Sequence, residues 1–257
     1  MAPRLVFAGL VLVVCPFTPA VGQDDSPHPY LRFASRNDHI ELEKTRGALD
    51  LQKPFTIELW ARWDTDIVDK MLYLAADEAW PGMSEKVPVT ALSGWVIRTS
   101  KVKDADKQAV EFNVAASARG TRTWLTVVSS YQRVEPKQWQ HISVCRSPSE
   151  LKIFWNGKPV ARRSLAGMEL HSSPSNVFLG VRRDGWEDRE FVGDIRAFRM
   201  SSKVRYNDRF TPEVSWESDD VTLALPDLPK TDGALAPDAS GNKRNGLVVG
   251  AKLINSK

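Results

Sequence analysis

In residues Phe55–Trp63 every odd position is apolar, namely Phe55, Ile57, Leu59, Ala61 and Trp63, while Thr56, Glu58 and Arg62 between them are polar. A helix would scatter such a run around its circumference. A strand, whose side chains alternate sides, sorts it into one buried face and one polar face. The same period recurs in Val110–Val114, Ile142–Val144 and Leu151–Trp155, each bounded by turn-forming residues. Between Leu151–Trp155 and Pro159–Arg163 stands Asn156-Gly157. That pair is the signal for a type I′ hairpin turn, which needs positive φ at both central positions. Beyond residue 22 no stretch carries sustained 3.6-residue apolar spacing with caps, and Tyr206–Phe210 allows at most a turn or two of helix. Many short strands joined by turns predict an all-β fold, a two-sheet antiparallel sandwich in a single domain.

At 257 residues and 42% hydrophobic content the chain has enough apolar material for such a core. A formal net charge of +3, evenly spread, argues against a nucleic-acid or membrane-surface partner. The N-terminus reads as a signal peptide over residues 1–22: Arg4, the apolar run Leu5–Cys15, then Ala20-Val21-Gly22 as a small-residue cleavage site. The apolar run is about half the ~20 residues a bilayer requires. With no second apolar span, the mature chain is expected to carry no membrane span and to be secreted, or held in the periplasm or cell envelope. Residues 23–29 form a short polar lead-in, and the domain occupies 30–257. Cys15 leaves with the signal. Cys145 then stands alone, so no intrachain disulfide is expected and the thiol reads as a small buried hydrophobe.

A series of segments, in order, carries a resemblance: Leu31–Phe33 with Asn37–Glu41, Phe55–Trp60, Gly94–Arg98, Trp139–Val144, Leu151–Lys158, Gly193–Arg199, Ser201–Tyr206 with Phe210–Pro212, Asp238–Asn242 and Gly246–Ala251. Together they resemble the laminin-G-like, concanavalin A-like lectin/glucanase jelly-roll domain in its secreted bacterial form, over roughly residues 30–255. The resemblance implies two curved antiparallel sheets and, in many members, a sugar or protein ligand on the concave face or rim, sometimes with calcium. The sequence departs from the pattern at Arg196-Ala197, where relatives often carry Asp-Glu, at Ala34-Ser35 in place of an Asp-Gly turn, and at Pro226–Gly233 in place of an acidic, glycine-containing stretch.

Chemistry must then come from particular residues, because this fold hosts lectins, glycosidases and adhesion modules alike. Glycosidases of this kind carry paired carboxylates on one strand face. Glu41 and Glu43 have the spacing, and Glu187 with Glu190 forms a second acidic group, but neither matches the expected strand. The four histidines, His28, His39, His141 and His171, lie in no nucleophile or zinc motif. His141 reads as a hydrogen-bonded structural residue. Asp238, Ser240 and Asn242, and Asp184 with Asp188, are the places calcium could bind, though the first set is more simply a turn. Of the nine tryptophans, Trp60, Trp63, Trp95, Trp139 and Trp155 fall on strands, whereas Trp80, Trp124, Trp186 and Trp216 fall in or beside turns. Two long segments, Asp77–Ser93 and Glu217–Ala236, read as loops. A loop tryptophan can stack a sugar ring while charged neighbours bond hydroxyls. The expected ligand contacts are therefore Trp186, Asp184, Arg182 and Trp80. The expected function is a non-catalytic recognition module for carbohydrate or a glycan-bearing surface. The alternative is an extracellular or envelope protein-interaction module, and a glycoside hydrolase follows last.

Overall fold

The computed structural model describes residues 28–35, 37–63, 72–79, 92–100, 107–129, 132–133, 137–181 and 191–255. Its strands are β1 (Tyr30–Phe33), β2 (His39–Leu42), β3 (Phe55–Trp63), β4 (Tyr73–Ala79), β5 (Ser93–Thr99), β6 (Lys107–Gln108), β7 (Val110–Ala118), β8 (Thr121–Val128), β9 (Gln132–Arg133) and β10 (Gln140–Arg146). They continue with β11 (Glu150–Trp155), β12 (Lys158–Ser164), β13 (Met168–Leu170), β14 (Val177–Leu179), β15 (Gly193–Ser201), β16 (Thr222–Ala224), β17 (Leu235–Ala236), β18 (Gly246–Val249) and β19 (Lys252–Ile254). An eight-stranded sheet runs β12-β11-β10-β3-β15-β1-β19, with β16 beside β15. A nine-stranded sheet runs β13-β7-β5-β4-β14-β2-β18-β17, with β8 beside β7. All pairings are antiparallel, so the expected jelly-roll sandwich is what forms.

The alternation in β3 does what it predicts on one side. Phe55, Ile57, Leu59, Ala61 and Trp63 enter the core between the sheets, against Trp95, Phe112 and Val114 of the facing sheet among others. Each large apolar side chain buried there contributes about 1.5–3 kcal/mol. The other side departs from expectation. Thr56, Glu58 and Trp60 are also buried, so β3 is covered on both faces rather than half-buried. The cause is the segment after β15, residues 202–216, which crosses the outer face of the eight-stranded sheet as a strap. Its course is fixed by backbone and side-chain bonds. The Thr56 hydroxyl donates to the carbonyl of Lys203, the Trp60 indole N–H donates to that of Glu213, and the Phe210 amide donates to that of Gly157.

The Asn156-Gly157 hairpin between β11 and β12 forms as expected, with φ of 48° and 72°. Two other expectations need correction. Trp124 lies within β8 rather than beside a turn. The 217–236 stretch is not a plain loop, for it contains β16, a 3-10 turn at Leu228–Lys230 and β17. These strands are two or three residues long, too short for period-two alternation to show. In the other long segment, Asp77–Ala79 complete β4 and Ser93 opens β5. The signal region and lead-in, residues 1–27, lie outside the described residues. Among those described, no helix is long and apolar enough to cross a membrane.

Gly157 tests the strap directly. A Cβ there would fall 1.9 Å from the carbonyl oxygen of Phe210, on a residue already at positive φ. Gly157→Ala should therefore destabilise the fold by about 1–3 kcal/mol. Urea unfolding followed by tryptophan fluorescence measures this, with the midpoint expected to fall.

Candidate functional site

The outer face of the nine-stranded sheet is assembled by cross-strand register. In β7, Val110, Phe112 and Val114 go to the core, so Glu111 and Asn113 face outward. In β5, Trp95 and Ile97 go inward and Arg98 goes outward. Register then places Arg98 beside Glu111, Tyr73 of β4 beside Arg98, and Thr126 of β8 beside Asn113. Thr126–Asn113–Glu111–Arg98–Tyr73 is thus a continuous row across four strands.

Every link in the row is hydrogen-bonded. The Thr126 hydroxyl donates to Asn113 Oδ1, and Asn113 Nδ2 donates to Glu111 Oε2 at 3.4 Å. Arg98 Nε donates to the same carboxylate oxygen at 2.8 Å, and the Ser100 hydroxyl donates to the other at 2.6 Å. Arg98 Nη1 reaches the Tyr73 hydroxyl at 3.0 Å. Burial opposes the charge of Arg98, but the Tyr73 phenol and the Glu111 carboxylate outweigh it and raise the guanidinium pKa above its ordinary value. The Arg98 and Glu111 side chains keep 19% and 14% of their surface exposed. They rest beside an apolar floor of Tyr73, Ala76 and Val96. Tyr73 and Asn113 are themselves buried, so the row offers the partly exposed Arg98 and Glu111 and the exposed Thr126, donors and acceptors with little freedom left to lose and suited to bonding hydroxyl groups.

The strand ends show which connections adjoin this row. Thr99 bonds back to Leu72, Gly180 to Leu74 and Lys137 to Trp63, so the ends of β3, β5 and β14 and the starts of β4 and β10 gather at one end of the sandwich. Gly180 and Phe191, which flank the segment 182–190, are at that end, the Gly180 amide donating to Leu74 and the Phe191 amide to Gly180. The segment 80–91 leaves the far end of β4, where Glu78 pairs with Gly94. The expected contacts Arg182, Asp184 and Trp186, and also Trp80, lie outside the described residues, as do Asp188, Glu187 and Glu190.

Glu41 sits on β2 and accepts a bond from Asn176 Nδ2 at 2.7 Å, whereas Glu43 lies past the strand end in a turn. The two do not form a carboxylate pair on one strand. Asp238 accepts from the amides of Leu225, Ser240 and Arg244 and from the Ser240 hydroxyl, at 2.7–3.1 Å. Its lone pairs organise a turn, and a cation would have to displace those donors, so these residues do not fit a calcium site. Among the described residues no three His, Cys, Asp or Glu side chains converge on a metal position.

The strongest polar cluster is sealed beneath the strap and was not legible as a unit. Glu58 on β3 accepts from Arg199 Nε on β15 at 2.8 Å, with Nη2 of the same guanidinium in ion-pair contact at 2.8 Å, from the Tyr206 hydroxyl on the strap at 2.8 Å, and from His141 Nε2 on β10 at 3.1 Å. Burial works against ionisation of Glu58, but the bonds from His141 and Arg199 overcome it and lower its pKa below the usual carboxylate value. His141 is driven down instead, first by burial and then by Arg199 and Arg196, so its ring is neutral. With Nε2 donating to Glu58, Nδ1 carries the lone pair. It has no hydrogen-bond partner among the surrounding rings of Trp60, Tyr206, Phe210 and Trp216. His141 is structural, as its strand position suggests. Cys145 is also buried, with its thiol pKa pushed up by burial, beside Thr56 and Ser143. Trp216 packs with Trp60, Trp139 and Leu225 and anchors the strap.

The profile of the concanavalin A-like lectin/glucanases superfamily matches residues 34–209, more than half of the sequence. The chain belongs to that superfamily. No curated protein matches it in sequence. Among solved structures, this lectin/glucanase-type chain is similar to a candidate carbohydrate-binding protein from Bacteroides ovatus, with a TM-score of 0.59 and 14% identity. The likeness covers 90% of this chain, which spans only 60% of the Bacteroides protein. It is also similar to the native heptameric SAP-like pentraxin of Limulus polyphemus, with a TM-score of 0.53 and 12% identity, over 90% of this chain and 96% of the pentraxin. At these identities the likeness is one of fold.

Two outcomes follow from the sealed cluster. Glu58→Gln leaves the Arg199 guanidinium buried without its counter-charge and should cost about 3–5 kcal/mol, read as a lowered unfolding midpoint. A histidine whose folded pKa is depressed takes up its proton more readily when unfolded. Stability should therefore be full above about pH 6.5 and fall as the pH drops below it, and further below about 4.5 as Glu58 is protonated. Thermal melts of the wild type and of His141→Gln across pH 4.5–7.5 check this, with the first part of the decline expected to flatten in the variant.

Proposed function

We propose that this chain is a secreted, non-catalytic carbohydrate-recognition module that binds glycan with the outer face and adjoining rim of its nine-stranded sheet. The observation that carries this reading is the hydrogen-bonded row Tyr73–Arg98–Glu111–Asn113–Thr126, fixed on that face. It lies at the end of the sandwich from which the segment bearing Arg182, Asp184 and Trp186 departs. In this reading Trp186 stacks a sugar ring, Arg182 and Asp184 bond hydroxyls at the rim, and the row orients the next sugar. Trp80 belongs to a segment at the opposite end of β4 and would extend the surface there. The Bacteroides ovatus relative, a candidate carbohydrate binder of the same fold, supports the reading.

Secretion rests on the N-terminal sequence, whose charge, apolar run and small-residue site have the form of a cleaved signal. The non-catalytic assignment is supported by Glu111, the carboxylate at the centre of the row, being bonded to Arg98 and Ser100 rather than facing a second acid. A second reading, a protein-interaction module of the envelope, is favoured by one observation. Leu235 and Leu247, directly paired across β17 and β18, are exposed together with Val249.

A glycan array on the mature protein tests the first reading. Arg98→Ala removes a charged hydrogen-bond donor worth about 1.5–3 kcal/mol and should weaken any glycan signal by about tenfold or more. Trp186→Ala should abolish it, and chelator should leave it unchanged. Signals unaffected by either substitution overturn the assignment. Release of reducing sugar from polysaccharide, lost in Glu41→Gln or Glu43→Gln, would establish a hydrolase instead. Copurification of a protein partner with an empty array would favour the second reading.

A further inference from the structure

On the other side of the sandwich, beside the β19 edge of the eight-stranded sheet, four charged residues stand in one cross-strand row. Lys252 of β19 pairs with Arg32 of β1, Arg32 with Asp194 of β15, and Asp194 with Arg62 of β3. Directly paired residues share a face, and because Leu31 and Phe33 point into the core, this face is the outer one. Asp194 is the buried centre of the row, with 7% of its side chain exposed. It accepts from Arg32 Nε at 2.9 Å and from Arg62 Nε at 2.7 Å. Arg62 is further held over the rings of Tyr30 and Trp139, each centroid 4.6 Å from the guanidinium carbon. The Arg32 and Arg62 side chains nonetheless remain 48% and 23% exposed, and Lys252 is exposed.

This arrangement has more positive charge than its own fold needs. One carboxylate pairs with Arg32 and Arg62, and Lys252 stands next to them in the row, so three cations share the row with one acid, an excess of two in a chain whose total is +3. Lys252 and Arg32 are like charges directly opposite each other, a pairing that destabilises a sheet. An anion lying across the row relieves both. The row spans four strands, roughly 14 Å, the reach of several linked sugars rather than of one small ion. Nucleic acid fits it poorly, because the Tyr30 and Trp139 rings that would stack bases already carry the Arg62 guanidinium.

We infer that this row is a binding site for acidic polysaccharide, whose carboxylate or sulfate groups bridge Arg32, Arg62 and Lys252. Asp194 and the two rings fix the guanidinium groups in advance, so little side-chain freedom is lost on binding. The site is separate from the nine-stranded face and does not rest on the function proposed for it.

Native affinity electrophoresis in gels cast with polygalacturonate, chondroitin sulfate or neutral dextran tests the inference. Retardation is expected in one or both acidic gels and not in dextran, and it should weaken as salt rises from about 50 to 300 mM. Comparison of the two acidic gels distinguishes carboxylate from sulfate as the bound group. Arg32→Ser with Lys252→Ser should reduce apparent affinity at least tenfold while the protein still melts cooperatively, since Arg62 continues to hold Asp194. Lys252→Ser alone should weaken retardation with the melting temperature unchanged, since Lys252 is exposed. Arg98→Ala should leave the retardation intact, which separates failure here from failure of the glycan reading above. No retardation in either acidic gel, retardation unchanged in the double variant, or equal binding to single-stranded DNA would overturn the proposal.

Discussion

A single buried carboxylate ties the molecule together. Glu58 sits in the middle of β3 with no solvent access, and its two oxygens receive bonds from β15, β10 and the strap. An isolated charge in that position would be prohibitively costly, so the fold can tolerate it only if Arg199, His141 and Tyr206 all arrive in register. That requirement fixes the neighbours of β3 and seats the strap over the outer face of the eight-stranded sheet. Aromatic packing around His141 then excludes water, and Phe210 closes onto the Asn156-Gly157 turn. The cluster has the residue types of a catalytic centre, a carboxylate, a histidine and a nearby thiol. Its sealing by Trp60, Phe210 and Trp216 makes it a structural fastening.

The two outer faces consequently differ in make-up. Much of the eight-stranded sheet is covered by its own chain, whereas the margin near β1 and β19 stays open. The nine-stranded sheet carries polar groups in a row bonded to one another across β4, β5, β7 and β8. Those groups are ordered before any ligand arrives, the condition under which modest hydrogen bonds yield useful affinity.

Much of the fold was legible because period-two alternation is local. Phe55–Trp63, the hairpin at Asn156-Gly157 and the superfamily resemblance all follow from contiguous residues. What was not legible depends on register between distant strands. Glu58 and His141 look like a strand's outward polar residue and a lone histidine until β10 is laid beside β3 and the strap over both. Arg98 and Glu111 likewise become a pair only through the β5–β7 register. The alternation of Val110–Val114 already placed Glu111 and Asn113 on one face, a signal that could have marked them as candidates. Tryptophan position misled at Trp124, which lies in a strand, and served well at Trp216, which is an anchor. Of the expected contacts, Arg182, Asp184, Trp186 and Trp80 lie on segments outside the described residues.

The central claim is that the ordered polar row on the nine-stranded sheet, and not the buried Glu58 cluster, meets the ligand. Backbone hydrogen–deuterium exchange with and without a bound neutral oligosaccharide tests it most directly. Added protection confined to β4, β5, β7, β8 and the 182–190 segment is the predicted result. Protection centred on β3, β10 and the strap, with the nine-stranded sheet unchanged, would contradict it.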